Sequence, residues 1–226
     1  MHDPIAVLFS AGLDSAVLLA HAAHENPLAI VQPVYVSTGL AWELEEQAMT
    51  ERLFAAGALG PRVVPPISLR FEMRDVYPAD HWAVRGEAPG VHTTDKDVYI
   101  EGRNVVLLAK ASVYMARARI ARVLIGTLAG NPFPDASREF RDAMSKALSV
   151  GLARSLTIEA PFATLHKADV IRLGRSLGVP LELTLSCMQP RNGIHCGRCS
   201  KCRERRDGFL DAGGVDPTIY AATERG

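Results

Sequence analysis

All four cysteines of the chain, Cys187, Cys196, Cys199 and Cys202, are gathered into one short stretch. Their spacing, C-x8-C-x2-C-x2-C, brings four soft thiolates close enough to complete the tetrahedral shell of a single zinc ion. Gly197 permits the tight turn that lets Cys196 and Cys199 face the same ion. Four protein ligands leave no position for water or substrate, so the expected zinc, one per chain, is structural. The negative charge of such a centre would be offset by Arg198, Lys201, Arg203, Arg205 and Arg206. A redox pair from either C-x2-C step is the rival reading, and the basic cluster could alternatively touch RNA. Crowding near one end argues against a disulfide framework and for a reducing, cytoplasmic setting.

A second stretch able to do chemistry is Phe9-Ser10-Ala11-Gly12-Leu13-Asp14-Ser15. Ser10 and Ser15 offer hydroxyl donors, Gly12 lets the backbone turn with its N–H groups inward, and a following helix aims its positive end at the same point. Together these make an anion cradle. Asp14 is a poor neighbour for bare phosphate but a reasonable ligand for an accompanying magnesium ion. The same stretch could equally be a plain strand-to-helix turn with Asp14 or Ser15 as the helix N-cap. It is not a Walker A sequence, because no Gly-Lys-Ser/Thr follows.

The elements that must position these residues follow from hydrophobic periodicity. Strands are expected at Ile5–Phe9, Ile30–Val36, Val63–Ile67 (ending beside Pro65 and Pro66), Val123–Ile125 and Leu156–Glu159. Helices are expected at Asp14–His24, Trp42–Ala56, Val105–Arg119, Arg138–Gly151 and Lys167–Leu177, the last closed by Gly178 and Pro180. This alternation predicts an α/β fold, a doubly wound parallel sheet with helices on both faces, whose ligands bind beyond the carboxyl ends of the strands. Residues 70–101, punctuated by proline and glycine, read as an excursion from the core and a candidate lid. The expected division is 1–180 for the sheet domain and 181–226 for the zinc-binding segment.

Composition narrows the function. The chain has 226 residues, 48% of them apolar, enough for a real core. Its 25 basic and 25 acidic residues cancel, so no overall basic excess points to nucleic acid as a partner. No apolar run approaches bilayer length and the N-terminus lacks a basic leader, so neither a membrane span nor a signal peptide is expected.

The loop at 10–15 resembles the Ser-x-Gly-x-Asp-Ser loop of the ATP pyrophosphatases, the PP-loop enzymes, with Ala11 where glycine is usual. The resemblance implies ATP, with Mg²⁺, cleaved to AMP and pyrophosphate. Further along come Gly102-Arg103-Asn104, Leu165-His166-Lys167-Ala168-Asp169, and Leu183-Thr184-Leu185-Ser186-Cys187 running into the zinc cysteines. In that order they resemble the 7-cyano-7-deazaguanine synthase family, from about residue 5 to Phe209. The family resemblance implies adenylation of 7-carboxy-7-deazaguanine, displacement of AMP by ammonia, and a second adenylation that leaves the nitrile. It also implies Asp14 and Lys167 as catalytic, and Arg103 and Asn104 as nucleotide contacts. A homodimer is the expected assembly.

One segment departs from the pattern. Residues Gly126–Phe140 keep Pro134, Asp135, Glu139 and Phe140 but shorten an Asp-Tyr-Ser-Gly portion, and Ala136 and Ser137 stand where the family has Cys and Arg. Asp135 is the expected acceptor for the paired donors of a purine-like base, with Arg138 swinging in to replace the arginine lost at Ser137. His81, Trp82 and Arg85 lie in another unmatched stretch. Two other functions compete: tRNA thiolation, for which no cysteine is left over, and a non-enzymatic zinc module binding RNA or protein, which leaves the loop at 10–15 unexplained.

Overall fold

The computed structural model describes residues 3–221, so 222–226, the end of the expected C-terminal segment, lie outside the described residues. Five strands, β1 (Ile5–Leu8), β2 (Val31–Ser37), β3 (Ile67–Arg70), β4 (Arg122–Leu124) and β5 (Thr157–Glu159), form one parallel sheet in the order β3-β2-β1-β4-β5. The first strand is thus the centre of the sheet: β1 pairs with β2 on one side and β4 on the other. Alternation along β1 divides the core. Ile5 and Val7 face one layer and Ala6 and Leu8 the other, as the two-residue period of a strand requires.

The first layer holds α1 (Leu13–Glu25), α2 (Glu43–Ala55), α6 (Lys167–Ser176) and α7 (Ser200–Ala212). The second holds α4 (Arg103–Ala118) and α5 (Arg138–Gly151), whose Leu108, Ala111 and Met115 pack against Ala6, Val34 and Val123. The C-terminal segment shares the first layer's core, with all four cysteines and Phe209 in one cluster with Val7 and Val17.

Two expectations need correction. The third strand is Ile67–Arg70, not Val63–Ile67. Val63 makes only an isolated bridge to Val31, because Pro65 and Pro66 have no N–H to give the ladder. The basic stretch after Cys199 is helical, and α7 is the helix that periodicity did not reveal. The excursion folds a short helix, α3 (Trp82–Arg85), and a 3-10 turn at Asp95–Val98, and its Gly90 bridges to Cys199.

Close packing of α6 on α1 depends on Gly174. A Cβ there would lie 2.7 Å from Val17 Cγ2 and 3.0 Å from Leu181 Cδ2, both in the buried core. Gly174→Ala should therefore lower stability by about 1–3 kcal/mol, the usual range for overpacking, despite alanine's better helix propensity. A denaturation midpoint at or above that of the parent chain would show that α6 can shift freely.

Candidate active site

A cleft of about 340 Å³ opens beyond the carboxyl ends of β1, β2 and β4, where a doubly wound sheet binds its ligands. Phe9, Ser10, Gly12, Leu13, Asp14 and Ser15 all line it. The N-cap of α1 is Gly12, with no side-chain cap, so Asp14 and Ser15 lie inside the first turn and do not cap it. The first backbone N–H groups of a helix have no partner within it, and Gly12–Ser15 line the cleft, which suits an anion. Ser15 Oγ donates to Gly12 O and accepts from Ser10 N, so it tightens the loop.

The turn itself is made at a different residue from the one expected. Gly12 is extended (φ −64°), whereas fully buried Ala11 takes the left-handed conformation at φ 54°. That costs a non-glycine residue roughly 1–2 kcal/mol. Ala11 turns away from the cleft, and its carbonyl accepts from Leu185 N at 2.8 Å, which ties the loop to the segment leading into Cys187.

Asp14 meets Lys167 across the cleft floor. Lys167 Nζ donates to Oδ1 at 2.8 Å and Oδ2 at 2.6 Å, and lies 3.0 Å from Glu204 Oε1. Glu204 Oε2 in turn accepts from Lys201 Nζ at 2.6 Å. Burial alone would lower the Lys167 pKa, but the charges of Asp14 and Glu204 outweigh it and hold the ammonium above its ordinary value. Burial would likewise raise Glu204, yet Lys167 and Lys201 pull it down to about 2. Lys167 is held at the start of α6, where His166 N donates to Asp169 Oδ2 at 3.0 Å.

Arg103 and Asn104 open α4 on the opposite wall. Asn104 N donates to Asp135 Oδ2 at 3.0 Å, and Asn104 Nδ2 donates to the Asp135 carbonyl. Asp135 lines the cleft as expected, but its carboxylate also caps α4 from a distance, and burial raises its pKa. The Arg103 guanidinium lies 5.7 Å from the Trp42 ring centre, and its buried Nε has no hydrogen-bond partner among the described residues. Thr127 Oγ1, just past β4, is buried on the same cleft with no partner among the described residues. Such orphaned donors are rare unless a polar ligand completes them. Arg138 does not line the cleft. Ser137 caps α5 by accepting from Phe140 N, which starts the helix with Arg138 on its outer face, its side chain 89% exposed and 3.6 Å from Asp142.

Trp42 and Glu46 are cleft residues that escaped sequence reading. Trp42 and Trp82 stack at 5.5 Å, with His81 against Trp82, so the unmatched aromatic residues of the excursion join α2 in one wall. Beneath them Glu46 accepts from Tyr35 Oη at 3.0 Å and Trp42 Nε1 at 3.2 Å. Burial raises the Glu46 pKa to about 7. Three glutamates start α2, and only the fold shows that Glu46 turns inward; the i,i+4 pairing with Trp42 was the available signal.

The four cysteine sulfurs lie within 4.8 Å of one another, close enough for one ion. Backbone N–H groups of Gln189 and Cys196 point at Cys187 Sγ (3.3 and 3.2 Å), as suits anionic sulfur. Arg205 does more than balance charge: buried, it donates to Thr184 Oγ1, Ser186 Oγ and Leu181 O, and so pins the strand-like approach to Cys187. His195 is buried too, its Nε2 accepting from Ser186 N, and burial lowers its pKa to about 3.

Residues 5–213 match the family described as Queuosine biosynthesis protein QueC. The chain belongs to the QueC family. It is 34% identical to the 7-cyano-7-deazaguanine synthase of Anaeromyxobacter dehalogenans (strain 2CP-C), over 95% of this chain and 94% of that one. To the enzyme of the same name from Methylobacillus flagellatus it is 32% identical, covering 99% and 98% of the two chains. Among solved structures, the U34-tRNA thiolase NcsA from Methanococcus maripaludis, described with its [4Fe-4S] cluster, superposes with a TM-score of 0.52. That likeness covers 89% of this chain and 64% of the thiolase at 11% identity, so it is one of fold. QueC membership agrees with the PP-loop geometry, and no helix among the described residues is long and apolar enough to cross a membrane.

Glu46 supplies a pH test of the cleft wall. Its carboxyl ionises near 4.5 when unfolded and at about 7 when folded. A raised folded pKa gives stability that is full below 4.5 and is lost as pH rises through 7. Glu46→Gln removes this titration, so between pH 4.5 and 7 the variant should gain on the parent by up to about 3 kcal/mol. Chemical denaturation at both pH values measures the gap, and a gap independent of pH would mean that Glu46 is ionised throughout.

Proposed function

We propose that this chain is an ATP-dependent ligase that converts 7-carboxy-7-deazaguanine and ammonia to 7-cyano-7-deazaguanine, releasing AMP and pyrophosphate. The observation that carries the reading is the joining, in one cleft, of an uncapped helix N-terminus with Asp14 and Lys167, on a chain alike over nearly its whole length to enzymes of that name.

A carboxylate oxygen is a poor leaving group, and adenylate is a good one. The acceptor's carboxylate attacks the α-phosphorus of ATP and pyrophosphate departs; ammonia then displaces AMP to give the amide. The amide oxygen then attacks the α-phosphorus of a second ATP, a second pyrophosphate departs, and loss of AMP with two protons leaves the nitrile. The turn at Gly12–Ser15 binds phosphate oxygens, Asp14 holds the accompanying magnesium, and Lys167 stabilises charge on the departing pyrophosphate. Tyr99 and Phe133, stacked at 4.8 Å beside Asp135, offer a flat apolar face and a carboxylate to a fused heterocycle. Catalysis is then mostly orientation and charge stabilisation.

The metal in this reading is one structural zinc held by Cys187, Cys196, Cys199 and Cys202. A tetrahedron with Zn–S near 2.3 Å has edges of roughly 3.8 Å. The Cys196–Cys202 and Cys199–Cys202 sulfur distances, 3.9 and 3.5 Å, agree with a single ion. All cysteines are so engaged, which speaks against sulfur transfer. A homodimer belongs to the same reading, and sedimentation equilibrium tests it.

Turnover with ATP, ammonium and 7-carboxy-7-deazaguanine should yield AMP and pyrophosphate, with Asp14→Ala slower by about a hundredfold or more. Release of ADP would show the loop misread. Elemental analysis should find one zinc per chain, lost together with cooperative folding in Cys199→Ser. A variant that kept both metal and fold would remove Cys199 from the ligand set.

A further inference from the structure

Lys201 and Glu204 stand on α7, the helix capped by Cys199 and carrying Cys202 in its first turn. Both reach the cleft that holds Asp14 and the loop at 10–15. Four charges alternate there: Asp14, Lys167, Glu204, Lys201, each within hydrogen-bond distance of the next. Lys167 is the hinge of this chain, its side chain 16% exposed and its ammonium shared between carboxylates from α1 and α7.

The set is neutral as it stands, and a triphosphate with its magnesium would unbalance it. A carboxylate that turns to a cation cannot keep both oxygens on an ammonium. Lys167 would then lose bonds on the Asp14 side, and a mostly buried ammonium left without an acceptor is costly. Glu204 remains to hold it. Lys201 is placed against the rules of helix stability: a cation in the first turn opposes the helix dipole. An ion pair with Glu204 at i,i+3 is worth only a few tenths of a kcal/mol. Beside it Ser200 Oγ is buried with no partner among the described residues.

We propose that α7 completes the nucleotide site. Glu204 is a positioning residue that keeps Lys167 aimed at the phosphates once Asp14 turns to the metal, and Lys201 contacts the phosphates directly. The proposal rests on the ATP reading above and assigns the metal-bearing helix a share in it.

The test uses the full, zinc-loaded chain and its variants Glu204→Gln and Lys201→Met. Zinc content, binding of α,β-methylene-ATP with magnesium, binding of AMP, and the kcat and KM of pyrophosphate release are measured. Glu204→Gln should lower kcat about tenfold or more with little change in KM for ATP, as loss of one charged hydrogen bond in the reacting state predicts. Lys201→Met should weaken the methylene-ATP complex about tenfold and leave AMP binding and zinc content unchanged. Lys201→Met decides alone if Glu204→Gln does not fold. Parental binding and turnover in the folded variants overturn the proposal, and so does loss of zinc from Lys201→Met, which would assign that lysine to the metal centre. A parent chain that binds no methylene-ATP at all overturns the ATP reading itself, and the two failures are thereby distinct.

Discussion

The bond from Leu185 N to the Ala11 carbonyl is the constraint on which the site depends. It joins the first loop of the chain to a segment more than 170 residues later, two positions before the first cysteine. Ala11 must be left-handed to present that carbonyl, a conformation glycine adopts without strain and alanine does not. The surrounding core fixes the choice, since Ala11 is fully buried and Leu185 nearly so. With Ala11 turned away from the cleft, the following turn, Gly12–Ser15, lines it. A helix cap from Asp14 or Ser15 would have closed that same position.

Electrostatics then divide the cleft into two regions. At the α1 end, charges of both signs are paired and mostly buried, so a phosphate arriving there exchanges partners that already exist. At the α2–α4 end the groups are underused: Arg103 Nε lacks a partner among the described residues, and Glu46 sits in a setting that favours its neutral form. Preformed charge suits a triphosphate common to many enzymes. Unsatisfied polar atoms among aromatic rings suit a flat heterocycle, whose recognition depends on leaving none of them unpaired.

How much of this was legible beforehand varied with the range of the interactions involved. The parallel sheet, most of its helices, the loop at 10–15 and the cysteine set could all be read from short patterns, because periodicity and ligand spacing are local properties. Lys167 and Asp14 were each singled out, but their contact spans 153 residues and only the packing of α6 on α1 creates it. Asp135 was read as a base contact, whereas the fold also makes it the cap of α4. Arg138 was expected inside, yet the cap at Ser137 sets the helix phase that turns it out. Helix α7 was obscured by its composition: six charged residues in its first eight hide the apolar stripe that periodicity would normally announce.

The same cluster of four cysteines, able to hold one metal ion, lies directly beside the cleft. Beyond Pro180 none of the described residues forms a strand of the sheet, and the turns at Gly193 and Gly197 are left-handed. Such a segment buries too little apolar surface of its own to hold a single conformation. Four sulfurs in one cluster, with Arg205 tying Thr184 and Ser186 to α7, give it rigidity at small size. Rigidity there is transmitted directly, because Leu185 holds the Ala11 carbonyl and Glu204 holds the Lys167 ammonium. A sheet edge could not do this, since β3 and β5 lie at the outer positions, away from β1. The cysteine cluster is therefore placed where the loop at 10–15 most needs a fixed neighbour.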